Sequence, residues 1–148
     1  MLTIPQPVYE ALRAHGVHAY PHECCGVLLG TRREAHWQIA AAIPTANAET
    51  ATPHNRYRIA PADLARILRR ALLDGLEIAG FYHSHPDHPA HWSQTDLAEA
   101  HWLDCAYLIT AIRHGQPAET NAFLLAGSGE EDKHFLPIPI QIEPESSF

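Results

Sequence analysis

Leu76-Glu77-Ile78-Ala79-Gly80-Phe81-Tyr82-His83-Ser84-His85-Pro86 is a β-forming, mostly apolar run that ends in two histidines two positions apart. In an extended strand alternate side chains share a face, so His83 and His85 project together from its end and one metal ion could take both rings. After seven intervening residues comes Ser93, and after two more Asp96, in Ser93-Gln94-Thr95-Asp96-Leu97-Ala98-Glu99-Ala100. A serine ahead of an amphipathic run predicts an N-cap, with Asp96 in the first turn of the helix it opens. Strand, loop and helix would thus bring two imidazoles, a hydroxyl and a carboxylate to one place. Two histidines and one carboxylate leave the fourth tetrahedral position of a zinc ion to water, the feature that separates catalytic from closed structural sites. The same ligand set also occurs with iron.

Upstream, Pro21-His22-Glu23-Cys24-Cys25-Gly26-Val27-Leu28-Leu29-Gly30 sets a glutamate immediately before an apolar run that reads as a buried strand. Taken alone, Glu23 is a solvated residue at the start of a strand. Together with a metal site it is the candidate base, and a glutamate in that role favours zinc over iron.

At this point the chain resembles the JAMM (MPN-plus) metalloprotease family, whose pattern is a glutamate, then a distant His-x-His, seven residues, Ser, two residues and Asp. Every position is present here. The likeness takes in Asn55-Arg56-Tyr57-Arg58-Ile59, the helix from Pro61, Gly80-Phe81-Tyr82 and Ala106-Tyr107-Leu108-Ile109, and so covers most of Met1 to Gly127. It is to the short, stand-alone prokaryotic members. The resemblance implies a single-domain α/β fold over residues 1–142, a curved mixed β-sheet flanked by helices and related to cytidine deaminases, with the metal at the sheet's edge. It implies one Zn2+ per chain held by His83, His85 and Asp96, Glu23 as general acid/base for the attacking water, and Ser93 stabilising the oxyanion. The implied activity is hydrolysis of an amide bond at the C-terminal extension of a small ubiquitin-like or sulfur-carrier protein. Without turnover, the same domain would be a module that binds such a tail by strand addition. The chain has no room for the long insertions that shape ubiquitin recognition in eukaryotic members, so a smaller substrate contact is expected.

Other readings of these residues carry less. Ser93 can cap a helix, worth about 1 kcal/mol, without excluding a chemical role. Adjacent Cys24 and Cys25 lack the Cys-x-x-Cys spacing of zinc sites and fit packing better. His88, His91 and His101 are read as solvated and stay outside the ligand set, while Trp37 and Trp92 could pack or wall a substrate. Zinc-dependent deamination needs a His-x-Glu and a Pro-Cys-x-x-Cys, and neither occurs.

The 148 residues carry ten basic and seventeen acidic side chains, a net charge of −7 that lacks the basic footprint of a nucleic-acid binder. Twelve histidines make that charge sensitive to mild acid. No apolar run approaches the roughly 18 residues of a membrane span, and Met1-Leu2-Thr3-Ile4-Pro5 has no signal-peptide character, so a cytoplasmic protein with reduced thiols is expected. Oligomeric state stays open.

Along the chain, a helix is expected from Pro5 to about Ala19, then strands at Cys25–Gly30 and His36–Ile43 joined by a turn at Thr31-Arg32-Arg33-Glu34. Pro44 to His54 reads as a loop and Arg56–Ile59 as a short strand. Pro61 to Gly75 is the clearest helix, with proline near its start, glycine at its end and Leu64, Ile67, Leu68, Ala71 and Leu72 on one face. Three more strands are expected at Cys105–Arg113, Thr120–Leu125 and Lys133–Ile142, followed by a frayed tail over residues 143–148.

Overall fold

β2 (Cys25–Arg33) and β3 (His36–Thr45) form an antiparallel hairpin, and β4 (Glu77–Pro86) joins it antiparallel on the other side of β2, with Cys25 opposite His83. In the computed structural model, which describes residues 1–145, eight strands make one sheet in the order β7-β6-β5-β4-β2-β3-β1-β8. The remaining strands are β1 (Leu2–Pro5), β5 (Ala106–Arg113), β6 (Gln116–Ala126), β7 (His134–Ile138) and β8 (Ile140–Glu143). β1 runs parallel to β3 and β8, and β4 parallel to β5; the other pairs are antiparallel. β7 and β8 stand at opposite ends of this order although Pro139 alone separates them, so the sheet curls until its two ends approach one another. The Pro139 carbonyl accepts the Leu2 N–H at 3.0 Å and ties that corner to β1.

The helices cover the two faces. α1 (Gln6–Ala19) packs over Leu2, Ile4, Leu28, Tyr82 and Leu108. α2 (Pro61–Leu73) and the short α3 (Gln94–Glu99) pack over Val27, Ile78, Phe81, Tyr107 and Ile109. Because side chains alternate along β4, Phe81, His83 and His85 fall on the α2 and α3 side while Tyr82 and Ser84 fall on the α1 side. A curved mixed sheet flanked by helices is the architecture expected.

Several expectations are corrected. β4 is an interior strand, so the histidines sit at the end of a central strand and not at the sheet's edge. β2 continues through Arg33, and the turn is confined to Glu34 and Ala35, with Glu34 at φ 58°. Thr31, Arg32 and Arg33 are exposed there, which gives a strand end the composition of a turn. Arg56–Ile59 is not a strand: its Arg58 N–H donates to Asn47 Oδ1 at 3.0 Å and Asn47 Nδ2 donates to the Arg56 carbonyl at 3.0 Å, so a side chain occupies the place of a partner strand. β1 was not anticipated, because four residues carry no periodicity and both its partners are remote in sequence. The last expected strand is broken at Pro139 into β7 and β8. Glu143, expected to fray, pairs with Pro5 in β8 and accepts from Gln38 Nε2 at 2.6 Å. Residues 146–148 of the expected tail lie outside the described residues.

Candidate metal centre

The crossover from β4 to β5 carries the third side chain back over the histidines. Ser93 caps α3 in a capping box, its hydroxyl accepting the Asp96 N–H at 3.0 Å and its own N–H donating to Asp96 Oδ2 at 2.9 Å. At the other end of α3, Lys133 Nζ donates to the carbonyls of Ala98 and Ala100, capping a helix too short to persist unaided. Held at both ends, α3 delivers Asp96 Oδ2 to 3.3 Å from His83 Nε2 and 3.0 Å from His85 Nε2, with the two imidazole nitrogens 3.1 Å apart.

Three ligand-type atoms 3.0 to 3.3 Å apart form a near-equilateral triangle. Zinc bonds of about 2.0 to 2.1 Å in a tetrahedron require edges of about 3.3 to 3.4 Å, so the triangle is one small relaxation from a metal face. The outer contact of His85 agrees with that use, whereas the buried His83 Nδ1 has no hydrogen-bond partner among the described residues. His85 Nδ1 lies 2.8 Å from the Pro89 carbonyl, which assigns the proton to Nδ1 and turns the Nε2 lone pair toward the triangle. The His83 ring stacks on Tyr57, centroids 4.4 Å apart, and is nearly sealed from solvent. Among the described residues, these three side chains make the cluster able to hold a metal ion.

Glu23 sits just ahead of β2, two residues before the partner of His83, and is buried. Its Oε1 has no hydrogen-bond partner among the described residues. Burial pushes its carboxyl up to about 8, opposed by nearby His85 and reinforced by Asp96 and Glu99. Asp96 goes the other way: burial works against its ionisation, but His83, the hydrogen bonds from both imidazoles and the Ser93 N–H hold it well below the usual carboxylate range. Burial lowers His83, while for His85 the same penalty is overcome by its hydrogen bond and attraction to Asp96, so that His85 is raised.

The structure therefore brings Glu23, His83, His85, Ser93 and Asp96 into one neighbourhood and leaves the other candidates outside. Burial pushes the Cys24 and Cys25 thiols up to about 12 and about 11, and Cys25 Sγ is engaged with Thr45, so both pack. His91 stacks on Trp92 beside Phe123, His88 is exposed, and His101 pairs with Glu130. Trp37 is buried with its indole N–H on the Asp104 carbonyl. Beside the triangle, a cavity of about 370 Å³ is walled by Tyr57, Ile59, Leu64, Phe81, Trp102 and Tyr107, with Arg58, Glu99 and His101 as its polar lining. Tyr57 is the residue that the motif alone did not single out. The run Tyr57-Arg58-Ile59 held the signal, since all three residues line the cavity, Tyr57 and Ile59 as apolar wall and Arg58 as polar lining.

A family model described as prokaryotic homologs of the JAB domain matches residues 5–124. The chain belongs to that family. Among JAB-domain relatives, it is 32% identical over 102 residues to a probable TtuB-protein conjugate cleaving protease of Thermus thermophilus, covering 69% of this chain and 65% of that protein. It is 37% identical over 89 residues to the desampylase of Haloferax volcanii, covering 60% and 62%. These two matches span just under two thirds of each relative. The CysO-cysteine peptidase of Mycobacterium tuberculosis is 30% identical over 128 residues, covering 83% and 82%. Two solution structures share the JAB-domain architecture: a Desulfitobacterium hafniense protein at TM-score 0.83 and 25% identity, covering 99% and 96%, and a Salinibacter ruber protein at 0.72 and 35%, covering 97% and 92%. Among the described residues, no helix is long and apolar enough to cross a membrane.

Proposed function

We propose that this JAB-domain protein is a zinc metallopeptidase or isopeptidase that hydrolyses an amide bond at the C-terminal extension of a small ubiquitin-like or sulfur-carrier protein. The observation that carries the reading is the triangle of His83 Nε2, His85 Nε2 and Asp96 Oδ2 beside a buried, unpartnered glutamate. The substrate class is supported by relatives whose names refer to TtuB conjugates and CysO-cysteine. When bound, zinc would supply Lewis acidity toward the carbonyl and bring a water's pKa near 7.

The chain's own residues do the rest. The cavity beside Tyr57 receives the extended tail and presents its last amide to the triangle. Glu23 accepts a proton at a carboxylate oxygen as the water oxygen bonds to the carbonyl carbon, then returns it to the amine as the C–N bond breaks. The Ser93 hydroxyl, whose oxygen already accepts the Asp96 N–H, is left with its proton to donate to the developing oxyanion. Asp96 stays ionised throughout. We assign this activity to one domain that extends from the expected residues 1–142 through Glu143, the last residue of β8, in the cytoplasm, where the three free thiols of Cys24, Cys25 and Cys105 stay reduced.

Glu23→Gln tests it, with CysO bearing a C-terminal cysteine and a TtuB–protein conjugate as probes. The variant should bind about one zinc per chain by elemental analysis and lose about 10²- to 10⁴-fold in turnover, followed as product mass. Full turnover in Glu23→Gln sinks the reading. Stoichiometric zinc with no cleavage of either probe by the wild type would favour a tail-binding module instead.

A further inference from the structure

Between the two histidines, Ser84 faces away from the triangle. It is fully buried on the α1 side, where α1 passes so close that a Cβ added to Gly16 would lie 3.3 Å from the Ser84 Cβ. Its backbone N–H donates to the Cys24 carbonyl at 3.2 Å, and its hydroxyl accepts the Cys24 N–H at 2.8 Å. In a regular antiparallel pair that N–H would go to the Ser84 carbonyl. The hydroxyl has taken the carbonyl's place in the pairing of Cys24 with Ser84, at the residue next to Glu23.

That substitution matters because nothing grips the Glu23 side chain: Oε1 has no hydrogen-bond partner among the described residues. Its backbone is anchored instead. The Glu23 N–H donates to the Pro53 carbonyl at 2.7 Å, Asn47 Nδ2 donates to the Glu23 carbonyl at 3.2 Å, and the next peptide is clamped by Ser84. Two of these anchors come from the long loop before α2. The Ser84 hydroxyl is the side-chain anchor from the strand that also carries His83 and His85, beside the Ser84 N–H bond to the Cys24 carbonyl. We propose that Ser84 is a positioning residue for the reaction, its hydroxyl fixing the Cys24 peptide and thereby the Glu23 carboxyl relative to His83 and His85. The inference rests on the function proposed above.

The test is a double-mutant cycle of Ser84→Ala and Glu23→Gln on zinc-loaded full-length protein, with CysO bearing a C-terminal cysteine as substrate. Ser84→Ala should lower kcat about 10- to 100-fold, the usual consequence of a displaced catalytic group. KM and zinc affinity, the latter read by competition with a chromophoric chelator, should match wild type. In the Glu23→Gln background Ser84→Ala should take nothing further from the residual kcat, because its effect passes through Glu23. Unchanged kcat in Ser84→Ala, a loss that repeats in full on Glu23→Gln, or a loss that follows zinc affinity would each overturn the proposal. Should Ser84→Ala fail to fold, Ser84→Cys carries the same cycle, since it keeps the volume and substitutes a weak acceptor. A fully active Glu23→Gln would instead overturn the underlying function, a different result from additivity between the two sites.

Discussion

Glu23, at the threshold of β2, and Asp96, in the first turn of α3, are carboxylic acids buried in one site, yet their surroundings push them apart. Both lose water. Asp96 recovers the loss through the Ser93 N–H and two imidazoles. Glu23 has one oxygen with no partner and feels the negative charges of Asp96 and Glu99. A carboxylate that stays ionised is suited to hold a cation, and one pushed up to about 8 is suited to carry a proton near neutrality. Sequence position would not have separated these roles, since either residue could ligate or exchange protons. The backbone N–H aimed at one and withheld from the other separates them.

Neutralising each carboxylate in turn and measuring zinc binding separates the two roles most strongly. Asp96→Asn should weaken zinc by well over the 10- to 100-fold typical of an outer-shell loss, whereas Glu23→Gln should leave affinity near wild type. Titration against a competing chelator checks both. Swapped outcomes would mean that the ligand and the base have been exchanged.

Opposite pH slopes follow in the metal-free protein. Glu23 ionises near 4.5 when unfolded and near 8 when folded, so between these values the unfolded chain has released a proton that the native one retains. Stability attributable to Glu23 therefore falls as pH rises from about 5 to 8. Glu23→Gln should be more stable than wild type at pH 8 by on the order of 4 kcal/mol, and near equal at pH 4. Asp96 has the reverse sign. Its depressed folded value gives stability that is present above its unfolded value, near 3.8, and is lost as pH falls through the folded one. Asp96→Asn should thus be the less stable variant at neutral pH. Urea melts with chelator at pH 2, 3, 4, 6 and 8 would show both slopes, that of Asp96 below pH 4 and that of Glu23 above it, and parallel ones would abolish the distinction.

The same contrast explains what could be read in advance. His83, His85, Ser93 and Asp96 were legible because strand alternation and a helix N-cap act over a few residues, and those local rules survive into the fold. Glu23 was legible only through the family pattern, because its character comes from what is absent around it. Tyr57 was misplaced in a strand, since the Asn47 side chain that shapes Arg56–Ile59 lies in a stretch whose composition says only loop. β1 and the curl of the sheet depend on pairing residues 2–5 with residues 140–143, a contact across nearly the whole chain that no periodicity announces.

Zinc affinity should also fall in mild acid, and this sharpens the part that Asp96 plays. His85 is raised above its ordinary 6.5 because its hydrogen bond and attraction to Asp96 outweigh burial, so in mild acid a proton competes with the metal for Nε2. As the pH falls the apparent affinity should drop by up to about tenfold per pH unit for that one proton. Asp96→Asn should flatten the dependence because the imidazole loses its partner.

Ser93→Ala gives the smallest effect on stability and zinc affinity and separates two parts of one cap. The hydroxyl accepts the Asp96 N–H, whereas the grip on the Asp96 carboxylate comes from the Ser93 backbone N–H, which alanine keeps. Losing the hydroxyl should cost about 1 kcal/mol, a fall of about 2 to 4 °C in Tm for a chain of this size. Zinc affinity should stay near wild type, since the carboxylate's own donor is untouched. Calorimetry and zinc titration on the same preparation decide it: a large loss of zinc would mean that the aim of Asp96 depends on the helix start as a whole. Equal affinity with turnover reduced about 10²- to 10³-fold is the outcome expected of an oxyanion donor, and unchanged turnover would remove Ser93 from that part.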